Sequence, residues 1–158
     1  MSTYSLEDIL STSDRFKLYT LMHNINELEA KIAYLKSQNI NVINIGKELA
    51  SYIDGLEDYS YLNIDVYDYT KKLLDKHKTK TNNFENDVLA IYNLGILMEP
   101  ALELKAVQLF KEFSKSTSLI ILWDNQSDIP DRLEWLTQKN NFFFDFSESQ
   151  LKKLQYAI

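Results

Sequence analysis

The chain is predicted to be an α/β protein of three layers, with a mainly parallel sheet of about five strands held between helices. Three observations point there. Five short apolar runs recur along the sequence: FKLYTLM (16–22), NVINIG (41–46), LAIY (89–92), SLIILW (118–123) and NFFFDF (141–146). Stretches long enough for a parallel crossover, which takes a dozen residues or more, separate most of them. The runs at 89–92 and 118–123 are almost continuously apolar, the pattern of strands buried on both faces.

The elements follow in chain order. Residues 1–14 form an N-terminal segment, expected to be extended or helical, ahead of the strand at 16–22. In HNINELEAKIAYLKSQN, Asn24 stands where a helix cap belongs and Glu27 completes a capping box, while Ile25, Leu28, Ile32 and Leu35 share one helical face. NVINIG reads as a β-branched strand closed by Gly46, with a short helical piece through Leu49 and Ile53 behind it. SYIDGLEDYSYLNIDVYDY (51–69) is dense in tyrosine and acids and breaks the rhythm before a helix that runs into KKLLDKHKTK (71–80). After the strand at 89–92, EPALELKAVQLFKEFSK predicts a helix with Pro100 in its first turn and an apolar face of Leu102, Ala106, Leu109, Phe110 and Phe113. A turn at Pro130, a short helix at 133–136 and a final helix from Ser147 complete the expectation.

Composition narrows the function. A chain of 158 residues, 45% hydrophobic, suits one domain with one real core, here 1–158. The start MSTYSLEDIL does not read as a signal peptide, and the longest apolar runs fall short of the roughly 20 residues of a membrane helix. A cytoplasmic protein is expected. There is no cysteine, so thiolate ligands and disulfides are excluded, and His23 and His77 lie too far apart to form a ligand spacing. No cofactor or metal is expected. A net charge of −6 opposes general affinity for nucleic-acid phosphates. The lysines of 71–80 suit a helix C-terminus, where the dipole favours cations.

Ligands of such sheets sit beyond the carboxyl ends of the strands. That places 23–26, 93–99 and 123–126 along one functional edge. A phosphate-binding loop needs glycines that turn N–H groups inward, a lysine, and a hydroxyl for magnesium, spelled GxxxxGK[ST]. The turn of His23, Asn24, Ile25 and Asn26 has none of these. Gly46-Lys47-Glu48 fails too, with Asn41 at the first glycine position and Glu48 at the hydroxyl. The Glu103-Leu104-Lys105 pair has the spelling of a magnesium nuclease, yet it falls in a predicted helix where residues two apart diverge. Tyr52, Tyr59, Tyr61, Tyr67 and Tyr69, interleaved with acids, form a candidate partner surface, since tyrosine is enriched at interfaces. Some of these rings are equally suited to covering the sheet.

In IYNLGILMEPAL, followed by KAVQLF and LIILW, the chain resembles the small P-loop ATPase-like component of bacteriophage exclusion (BREX) defence systems. That family carries Asp-Asn at a strand end, a hydrophobic residue, Glu, an apolar triplet and Asp-Pro-x-Leu. Here stand Tyr92-Asn93, Leu94, Gly95, Ile96-Leu97-Met98 and Glu99-Pro100-Ala101-Leu102, and Trp123 matches a tryptophan that ends the next strand. The resemblance implies a P-loop NTPase-like fold of the RecA or AAA kind and membership of an antiviral assembly. The magnesium acid falls on Tyr92 and the second acid on Gly95, so the nucleotide site is degenerate. His23, Asn24, Asn26, Tyr92, Asn93, Glu99 and Trp123 mark its positions. The expected function is a non-catalytic assembly or regulatory subunit acting through other proteins of a defence system or a homo-oligomer. The alternatives are a nucleotide sensor completed by a partner, and an acidic mimic of nucleic acid.

Overall fold

The computed structural model describes residues 3–80, 86–124, 131–134 and 143–154. In chain order its strands are β1 (Thr3–Tyr4), β2 (Leu18–Met22), β3 (Val42–Asn44), β4 (Asp87–Tyr92), β5 (Thr117–Trp123), β6 (Arg132–Glu134), β7 (Phe143–Asp145) and β8 (Lys152–Leu154). Six of them form one sheet in the order β1-β8-β2-β5-β4-β3, and each neighbouring pair is parallel. β6 and β7 form a separate antiparallel pair.

The alternation of side chains along each strand makes two cores. From β5, Leu119, Ile121 and Trp123 join one core, and Ile120 and Leu122 join the other. Helices α1 (Leu6–Ser11) and α2 (Leu28–Ser37) close the second core with Ile9 and Leu35 against Tyr19, Leu21, Val88 and Ala90. The first core is closed by α3 (Ile45–Asp54), α4 (Leu62–His77) and α5 (Ala106–Phe113), which bring Leu49, Val66, Leu73, Leu109 and Phe110 onto Leu18, Ile43, Leu89 and Ile91. The three predicted layers and the parallel sheet are present.

Several elements differ from expectation. The N-terminal segment supplies both an edge strand and α1, the latter started by a capping box between Ser5 and Asp8. Gly46 does not close β3; it lies in the first turn of α3. The helix predicted from Glu99 opens instead as a 3-10 turn, Pro100–Leu102, behind another at Gly95–Met98, and α5 begins only at Ala106. Glu103 between them has φ 45°, which ends any continuous helix. The turns bury Leu97 and Leu102, so core packing overrides the helical preference of this stretch.

NFFFDF contributes β7, but to the small sheet and not to the main one. Leu133 sits in β6 where a short helix was expected, and the Pro130 turn lies outside the described residues. In place of a final helix from Ser147, a turn leads into β8. Ser147 N–H donates to Asp145 Oδ1 at 2.9 Å, and Leu151 N–H to Asp131 Oδ1 at 2.7 Å. β8 then fills the open edge of β2, with Tyr19 opposite Lys152 and an ion pair between Lys152 and Asp14. Among the described residues no helix is long and apolar enough to cross a membrane.

Candidate functional site

Because the sheet is parallel, β2, β4 and β5 end on one edge. Their connections part there: the chain leaves β2 for α2 on one face, and β4 is followed by α5 on the other. Such a parting opens a crevice. A cavity of about 410 Å³ lies in it, lined by His23 after β2, Tyr92 to Gly95 at and after the end of β4, Leu122 to Asp124 at and after the end of β5, and Leu28 at the start of α2. Its volume is within the roughly 300–1,000 Å³ of small-molecule sites. Of the seven predicted positions, His23, Tyr92, Asn93 and Trp123 meet here. Asn24 and Asn26 are exposed beside it, and Glu99 lies elsewhere, in a cleft of about 550 Å³ shared with Pro100 and Phe143. Gln126 falls outside the described residues.

The polar groups of this edge are turned on one another. His23 N–H donates to the Trp123 carbonyl at 2.9 Å, extending the β2–β5 ladder by one bond. His23 is buried, and its Nδ1 lies 2.9 Å from the Asn24 carbonyl, an acceptor, so Nδ1 carries the proton of that bond. Asn24 N–H donates to the Glu27 carboxylate at 2.9 Å, and Glu27 N–H returns to the Asn24 carbonyl at 2.9 Å. At the helix start, where a phosphate would seek N–H groups, a carboxylate already stands. Lys31 is buried on α2 and donates its Nζ to the Met22 carbonyl.

After β4, Asn93 adopts the left-handed region at φ 60°, tolerable for asparagine. Its Nδ2 donates to Asn44 Oδ1 at 2.8 Å, and the same oxygen caps α3 by accepting from Lys47 N–H at 3.0 Å. Gly46 allows this tie, because a Cβ there would come within 2.4 Å of Asn93 Nδ2 and 2.9 Å of its backbone oxygen. Tyr92 is half-buried and packs toward the α2 side. Trp123 is buried, its Nε1–H bonded to the Glu134 carbonyl at 3.1 Å and its ring edge-on to Phe144 with centroids 6.2 Å apart. No lysine or arginine is among the described residues lining the cavity, and no cluster of three or more His, Asp or Glu among them is placed to hold a metal ion.

Asp124 lines this edge, inside the expected stretch 123–126, whereas Lys31 lay outside the stretches expected there. Asp124 was legible as the first polar residue after SLIILW. Lys31 was legible as a cation at helical spacing from Leu28 and Leu35, inside an otherwise apolar stripe. The tyrosines divide. Tyr52 and Tyr69 stack at 4.0 Å with rings 3° from parallel, pinning α3 to α4, and burial raises the Tyr69 pKa above its ordinary value. Tyr67 packs on the core, while Tyr59 and Tyr61 stay exposed. No family model, no curated protein and no solved structure matches this chain.

Proposed function

We propose that the chain is a non-catalytic, P-loop-like α/β domain serving as an assembly or regulatory subunit, within a cytoplasmic phage-defence system as its sequence resemblance suggests. One observation carries the non-catalytic part. The loop after β2 commits the N–H groups of His23, Asn24 and Glu27 inside the chain and sets the Glu27 carboxylate at the helix start, so a triphosphate would meet repulsion and find these three donors already used. The sheet order supports the P-loop-like part. Read over β8-β2-β5-β4-β3 the strands run fifth, first, fourth, third, second, with one strand between the first and the one whose end matches the magnesium-acid position. A RecA- or AAA-like sheet has this layout. An assay of ATP turnover by the purified chain tests the reading: no turnover is expected, and turnover abolished by Lys31→Ala or Glu99→Gln would refute it.

A second reading is favoured by the open cavity at the same edge. There the chain is a nucleotide sensor whose cations come from a neighbouring subunit, and binding carries the signal. Calorimetry with Mg-ATP on the chain and on its assembled complex separates the two, since heat only in the complex selects the sensor.

A further inference from the structure

The stretch 48–70 holds six of the 23 acids, Glu48, Asp54, Glu57, Asp58, Asp65 and Asp68, and none of the 17 lysines and arginines. Outside it 17 acids meet 17 cations, so the net charge of −6 resides in this one stretch. The described ion pairs all lie elsewhere. The same stretch carries three of the four exposed large apolar side chains among the described residues: Tyr59, Tyr61 and Ile64, at 54%, 64% and 54% exposure. The fourth, Phe143, is covered by the Arg132 guanidinium 3.9 Å from its ring centroid. Tyr61, Ile64 and Asp68 follow helical spacing at the start of α4, so they form one stripe. Beside the stripe lies a hollow of about 250 Å³ between Ile64, Tyr67, Asp68, Glu103, Leu104 and Lys105.

We infer that this face docks an arginine- or lysine-rich segment of a partner protein, with one apolar side chain of that segment seated in the hollow. The inference rests on the reading of the chain as an assembly subunit and names the surface it uses. Charge complementarity selects the occupant. Phosphates of nucleic acid are repelled by six acids that no described ion pair neutralises. A second copy bound through the same patch sets acids against acids across the two-fold axis. Cations satisfy the acids, and arginine planes stack on exposed tyrosine rings.

The test is fluorescence anisotropy of a labelled peptide in which arginines flank leucines at helical spacing, titrated with the full chain. Controls are the same peptide with glutamate for arginine and with serine for leucine. The arginine–leucine peptide is expected to bind and to weaken as salt rises. Binding falls about tenfold or more for Asp58→Asn/Asp65→Asn/Asp68→Asn and, separately, for Tyr61→Ala/Ile64→Ser, all near-surface changes. Glu29→Gln, on the opposite side of the sheet, leaves it unchanged. No binding to the native chain, equal binding by both variants, or self-association abolished by Tyr61→Ala overturns the proposal. Mg-ATP calorimetry reports on the non-catalytic reading independently, so the two fail separately.

Discussion

Asn93, Asn44 and Gly46 show how the strand end that lines the cavity is held by a hydrogen bond and a close approach. The Asn93 amide is fixed by Asn44, and Gly46 leaves no room for a methyl group. Gly46→Ala is therefore expected to lower stability by about 1–3 kcal/mol, the usual range for overpacking, read by urea denaturation. Tyr19 gives a second residue-scale expectation. Burial, and behind it the Asp14 charge, pushes its phenol up to about 12, from 10.0. The folded state thus holds this proton at pH values where the unfolded chain has lost it, so stability is intact below about pH 10 and falls between about 10 and 12. Tyr19→Phe should flatten that fall in denaturation curves across the alkaline range. At the acid end, a hydrogen bond from Lys152 holds Asp14 below the usual carboxylate range, a contribution present near neutrality and lost as pH drops through its folded value.

At the scale of elements, the stacked rings of Tyr52 and Tyr69 couple α3 to α4. A double-mutant cycle of Tyr52→Ala and Tyr69→Ala is expected to give about 0.5–1.5 kcal/mol of coupling, and strict additivity would show the rings to be mere neighbours. Which elements could be read from sequence follows from where their partners lie. β4 and β5 were legible because both faces are buried and the runs are apolar throughout. β8 was not, since Lys152 and Lys153 read as helix surface and the reason they form a strand is the open edge of β2, far off in the chain. The turns of 95–102 were missed for the same kind of reason: Leu97 and Leu102 go to the core at a spacing no single helix provides.

For the whole molecule, three layers and one candidate edge follow from strand pattern and crossover length, and four of seven anticipated positions converge there. What stayed hidden was how the edge is occupied. The Asn93–Asn44 bond joins residues 49 apart, and no local pattern announces it. Six acids outside the described ion pairs lie along α3, α4 and the loop between them, and the proposed role of the chain rests on what this surface binds. The most direct measurement is isothermal calorimetry of the purified chain titrated with Mg-ATP. No heat beyond dilution is expected, because the N–H groups of His23, Asn24 and Glu27 are already bonded and no lysine or arginine is among the described residues lining the cavity. Saturable binding at one site per chain, lost on Lys31→Ala, would contradict it.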